Sequence, residues 1–274
     1  MVVVPGEGGE VRERGSSRAT LMLIALNVAV YAYTSYENAF IVSSYGSIRS
    51  LGFTPAALLT EPSSFVRVFT AMFTHADLFH ILFNMYFLWL FGGRVESVLG
   101  SLRFLALYFL SGIAAVVFHV AIVPIGGYDS LVIPAVGASG AISGVLGAYL
   151  LMFPHTRLFL CMIFPLPFCF TLSAELFLVL WFAQQVVYGY MRLGGVAYFA
   201  HIGGFVAGLV LVWLLARGLV ERYRYGYPLD PLLRWLELMG IIARRPQGLG
   251  IVAKAVLGAL LAAITVGLAY SLYQ

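Results

Sequence analysis

Seven apolar windows free of charged side chains divide the chain: residues 19–36, 78–93, 104–124, 136–153, 176–191, 193–216 and 255–273. A helix needs roughly 17 to 25 such residues to cross a bilayer, so the pattern predicts seven membrane-spanning helices, several of them short. An eighth uncharged stretch, 158–174, is interrupted by Pro165 and Pro167. Proline removes a helical hydrogen bond and drives the residue before it toward extended backbone. This stretch is expected to be a re-entrant or interfacial connection.

Basic residues test that choice, because loops on the cytoplasmic side collect lysine and arginine. With seven spans and the N-terminus inside, only Arg49, Arg67 and Arg192 fall on the outer side. An eighth span would move the basic connection from Arg217 to Lys254 outside. The expected organisation is therefore a polar, flexible N-terminal cytoplasmic tail (1–18), a six-span core (19–217), a basic cytoplasmic linker (218–254) and a seventh helix (255–274). Within the linker, Pro231 to Met239 reads either as a short amphipathic surface helix or as an irregular loop. The outer connection 37–75 mixes Pro, Gly, Ser and aromatics and is expected to fold as a hairpin-like loop.

Composition agrees with a multi-pass membrane protein: 61% of residues are hydrophobic, 10% are charged, and the mean hydropathy is +0.94. A net charge of +4, gathered in the inner loops, suits anionic lipid headgroups rather than nucleic acid. The first window lacks a small-residue cleavage site and is expected to remain as a span. Cys161 and Cys169 both fall in the inner connection, where a structural disulfide is not expected. The expected setting is a prokaryotic cell membrane. No internal repeat is visible, which weighs against an inverted-repeat transporter.

Polar residues inside such windows are costly and point to function. The second, fourth and sixth windows run inward from the outer face. His80 and Asn84 lie early in the second, Ser139 in the first turn of the fourth, and His201 a few residues into the sixth. At about 1.5 Å per residue, all four sit roughly 5 to 15 Å below the outer surface. His201 shares a helix face with Gly204 and Gly208, and Gly140 and Gly144 make the Ser139 helix small-surfaced, so two helices can approach closely. Serine becomes nucleophilic when a base takes its proton, and a neutral imidazole suffices. Asp77, Glu96, Asp129 and Glu175 all sit at window ends, which favours a Ser139–His201 dyad over a triad. His80 and Asn84, spaced i, i+4, together with the Ser139 backbone N–H, could stabilise an oxyanion. The same residues also admit plainer readings, Ser139 and the glycines as helix packing, His80 and Asn84 as polar contacts between helices. Their common depth favours the catalytic one.

These motifs resemble the rhomboid intramembrane serine proteases. The resemblance runs from about Arg67 to Gly208 and comprises Arg67-Val68-Phe69-Thr70 through His75, His80-x-x-x-Asn84, Gly92-Gly93 with Glu96, Gly137-Ala138-Ser139-Gly140, and Ala200-His201-Ile202-Gly203-Gly204. It implies an all-α membrane fold with a six-helix core plus one C-terminal helix. Ser139 would be the nucleophile, His201 the base, and His80 and Asn84 the oxyanion contributors. It also implies transmembrane protein substrates and no metal, nucleotide or other cofactor. Val66 and Ser143 depart from common family residues, leaving the His201 ring to be held by Phe205 or another aromatic. His75 is either a loop-packing or a catalytic residue, and His119 and His155 read as structural. A catalytically inert relative that binds membrane clients, and a transporter, are the alternative functions.

Overall fold

A computed structural model describes residues 2–4, 17–123, 131–154, 156–162, 168–193, 195–225, 254 and 258. The described chain is mostly helical. Among the described residues, four helices are long and apolar enough to cross a membrane: Arg18–Asn38, Leu78–Leu99, Ser101–Ala121 and Tyr198–Ala216. They coincide with the first, second, third and sixth expected windows. The expected seventh span, apart from Gly258, and the linker stretch from Pro231 to Met239 lie outside the described residues.

The first long helix comprises α1 (Arg18–Ser35) and a 3-10 turn, Tyr36–Asn38. Glu96 fixes its start. The Glu96 carboxylate is buried and accepts hydrogen bonds from the backbone N–H of Ala19 (2.9 Å) and Thr20 (2.8 Å), the Thr20 hydroxyl (2.7 Å) and the Ser101 hydroxyl (2.6 Å). The first N–H groups of a helix lack partners within it, and here a carboxylate from another helix supplies them.

The outer connection is helical rather than hairpin-like. It contains α2 (Tyr45–Leu51), α3 (Pro55–Thr60) and α4 (Val66–Thr70). Local capping explains the difference: the Ser44 hydroxyl accepts from the Ser47 N–H, and Pro55 occupies the first turn of α3, both helix-starting signals.

The second long helix is α5 (Leu78–Phe87), a π turn (Leu88–Gly92) and α6 (Gly93–Leu99). After α7 (Ser101–Ala121) comes α8 (Ser139–Met152), whose residues Ala141 to Leu150 are all buried. A helix apolar all round belongs at the centre of a bundle, and α8 packs chiefly against α7 and α10 (Tyr198–Tyr225). Its 14 residues span only about 21 Å, short of the roughly 30 Å hydrocarbon layer. Between α8 and α10 lies α9 (Ala174–Tyr190). The backbone of α10 continues helically through Tyr225, beyond the expected core boundary at 217.

The uncharged connection after α8 is a β-hairpin, β2 (Arg157–Met162) paired antiparallel with β3 (Phe168–Ser173). The N-terminal tail, expected to be flexible, adds β1 (Val2–Val4) antiparallel to β2, with Val3 opposite Leu158. Consecutive valines favour a strand once an edge is offered. Cys161 stands opposite Cys169 in the register, and Cys169 is disulfide-bonded, where no structural disulfide was expected.

Candidate active site

Ser139 is the first residue of α8 and is half-buried. Its position follows from the loop before it. The Phe53 and Ala135 backbones exchange two hydrogen bonds (3.0 and 2.7 Å), and the Gly137 N–H donates to the Ala71 carbonyl at 2.8 Å. These bonds tie the α8 entrance to the outer connection. The Ser143 hydroxyl donates to the Ser139 carbonyl at 2.6 Å.

Two small surfaces bring α10 to α8. A Cβ at Gly204 would collide with the Gly140 carbonyl, and one at Gly208 with the Gly144 carbonyl. All four glycines singled out in the sequence therefore meet at one seam. The close approach sets His201 Nε2 2.8 Å from Ser139 Oγ. His201 Nδ1 lies 2.8 Å from Gln185 Oε1. An amide oxygen only accepts, so Nδ1 carries the proton and Nε2 presents its lone pair to the serine. The ring is flanked by Trp181, centroids 6.2 Å apart and planes 29° apart. Of the two alternatives expected for holding this ring, Phe205 or another aromatic, the structure has the second, and Phe205 packs against Trp181 and Phe182.

His80 and Asn84 sit on α5. Asp77 caps that helix, its carboxylate accepting from the His80 N–H at 2.8 Å. The Ala76 N–H donates to His80 Nδ1 at 3.4 Å, leaving the proton on Nε2. A methyl group built on Gly137 would lie 2.6 Å from His80 Nε2 and 3.6 Å from Ser139 Oγ. The two side chains thus border one small space, with the helix N-terminus of α8 on the same side; that end concentrates partial positive charge. Asn84 is buried and donates one amide hydrogen to the His80 carbonyl at 2.9 Å. Its second amide hydrogen is not used in that bond.

His75 lies behind this group and is fully buried. The Ala138 N–H donates to His75 Nε2 at 3.5 Å, Nδ1 faces the Phe73 carbonyl at 3.4 Å, and the ring meets His80 edge-on at 5.1 Å. Burial, with the adjacent His80, pushes the His75 pKa down to about 3. His119 lines a cavity of about 50 Å³ together with Ser139, Gly140 and Met72, large enough for water. His155 lies outside the described residues.

The chain matches the Rhomboid domain over residues 62–218, more than half its length. This chain belongs to the rhomboid family. Rhomboids as a family are generally serine intramembrane proteases. It is 33% identical over 162 residues to Rhomboid protein 1, mitochondrial, of Saccharomyces cerevisiae, covering 59% of this chain and 45% of that protein. Presenilin-associated rhomboid-like protein, mitochondrial, of Bos taurus is 34% identical over 170 residues, covering 61% and 41%. RHOMBOID-like protein 6, mitochondrial, of Arabidopsis thaliana is 27% identical over 183 residues, covering 65% and 53%. This rhomboid chain thus spans less than half the length of the yeast and bovine relatives it matches. All three relatives are mitochondrial by name, which overturns the expected placement in a prokaryotic cell membrane.

The motifs exposed Ser139, His201, His80 and Asn84 but not Gln185 or Trp181. A usable signal existed: Gln184 and Gln185 are adjacent polar residues inside a charge-free window, where polar groups point to function.

Proposed function

We propose that this rhomboid is an intramembrane serine endopeptidase that cleaves peptide bonds in or near transmembrane segments of other membrane proteins. The observation that carries this reading is the 2.8 Å approach of His201 Nε2 to Ser139 Oγ. Ser139 Oγ attacks the substrate carbonyl carbon while its proton passes to His201 Nε2. The negative charge that develops on the carbonyl oxygen lies toward His80 Nε2–H, Asn84 and the Ser139 N–H, donors fixed before the reaction begins. Collapse breaks the C–N bond, with His201 protonating the departing amine. Water then hydrolyses the acyl-enzyme by the same proton route and restores Ser139. The chemistry needs no metal, nucleotide or other cofactor.

The proposed topology is six spans plus one, with the N-terminus on the inner side. Pairing of β1 with β2 supports it: four crossings separate these strands, which returns the chain to its starting side. The short α8 supports an active site below the outer surface, reached by water from that face. Substrates would enter from the lipid as transmembrane helices that unwind locally.

The test is cleavage of a panel of single-span substrates by purified protein in detergent, beside Ser139→Ala and His201→Ala. Products from the parent alone are expected. Cleavage that survives Ser139→Ala would contradict the mechanism, and retained substrate binding without cleavage by any of the three proteins would favour an inert client binder.

A further inference from the structure

Resting on the reading of Ser139 and His201 as nucleophile and base, we propose that Gln185 is a positioning residue, the third member of a Ser139–His201–Gln185 chain of hydrogen bonds. Gln185 and Trp181 lie four residues apart on α9 and therefore on one helix face. Gln185 is buried, with 6% of its surface exposed. Its Oε1 holds Nδ1 of His201 at 2.8 Å, and the opposite ring nitrogen meets Ser139 Oγ at the same distance. Trp181 lies along the ring face. The amide fixes the tautomer and the tryptophan fixes the plane, the two degrees of freedom an isolated base would otherwise explore.

The chemistry of an amide suits this place. Its oxygen accepts the Nδ1–H bond but is too weakly basic to take that proton, so Nδ1–H stays on the ring while Nε2 accepts the Ser139 proton and later releases it to the leaving amine. A carboxylate in the same position would be a buried charge in an apolar bundle, which is costly. Glutamine orients the base with no such cost. Among the described residues, the titratable side chains that act on His201 electrostatically are His80 and His119, neither on α9. Orientation from the α9 side therefore falls to Gln185 and Trp181.

The experiment measures the second-order rate of Ser139 labelling by a fluorophosphonate as a function of pH, a readout that needs no natural substrate. Parent, Gln185→Leu, Gln185→Glu and His201→Ala are compared, with thermal unfolding of each in detergent. Gln185→Leu is expected to label about 10- to 100-fold more slowly, the effect of losing one buried hydrogen bond to the base. Gln185→Glu retains an acceptor and is expected to recover much of the rate, with the acid limb moved to higher pH because a nearby carboxylate favours the imidazolium. A Gln185→Leu rate within about twofold of the parent overturns the proposal. Equal losses in both variants with an unmoved acid limb also overturn it, by reducing Gln185 to a packing residue. Should Gln185→Leu fail to fold, the limb of Gln185→Glu decides. A parent that does not label at Ser139, or a His201→Ala variant that labels at the parental rate, instead removes the dyad on which the proposal rests.

Discussion

A side chain has no room at Gly137. Its φ is +117°, a region L-residues rarely adopt, and an added methyl would sit 2.6 Å from His80 Nε2. Gly137→Ala is therefore expected to push His80 from the space beside Ser139, cutting the cleavage rate by about 100-fold or more, comparable to loss of an oxyanion donor. His80→Ala and Asn84→Ala should each lower kcat by about 10²- to 10³-fold with smaller changes in KM, measured in the same steady-state assay. His75 acts on stability. Its folded pKa of about 3 lies below the ordinary 6.5, so between these values the unfolded chain binds more protons at this site. The stabilisation is full above about 6.5 and is lost as pH falls toward 3. Acid titration of the unfolding temperature should show a shallower decline in His75→Gln than in the parent. The nucleophile, base and oxyanion candidates were legible in the sequence because each sits in a motif with a fixed spacing. Gln185 and Trp181 carry no such spacing to His201, and only the packing of α9 on α10 makes them neighbours.

At the scale of elements, the seam between α8 and α10 decides whether the site exists. Gly204 faces the Gly140 carbonyl and Gly208 the Gly144 carbonyl, so a branched side chain must separate the helices. Gly204→Val is expected to cost about 1–3 kcal/mol through overpacking and to slow Ser139 labelling at temperatures where the variant is still folded. Labelling rate and unfolding temperature measured in one preparation check it. Glu96 joins α1, α6 and α7 through four hydrogen bonds. Glu96→Ala strands two buried N–H groups and should destabilise the protein by about 2 kcal/mol or more, seen as a lower unfolding temperature. Apolar windows located most helices because hydrophobic length is the dominant signal for a span. They missed the β-hairpin, because an uncharged run holding Pro165 and Pro167 lacks the alternation that marks a half-buried strand. They also missed the helices of the outer connection, each shorter than two turns and so too short for helical periodicity to register.

Across the whole molecule, residues from four regions of sequence converge: His75, His80 and Asn84 from the start of the second long helix and the loop before it, Ser139 from α8, Gln185 from α9 and His201 from α10. Membership of the rhomboid family was legible from the motifs alone and agrees with the match over residues 62–218. The membrane of residence was not, since charge bias reports orientation across a bilayer and carries no information about which bilayer. The central claim is that Ser139 is a nucleophile made reactive by His201. It is tested most directly by intact-mass and peptide mapping of the purified protein after exposure to a fluorophosphonate. The account predicts one covalent adduct, located on Ser139 and lost in both Ser139→Ala and His201→Ala. An unmodified parent, or an adduct that persists on Ser139 in folded His201→Ala at the parental rate, would contradict it.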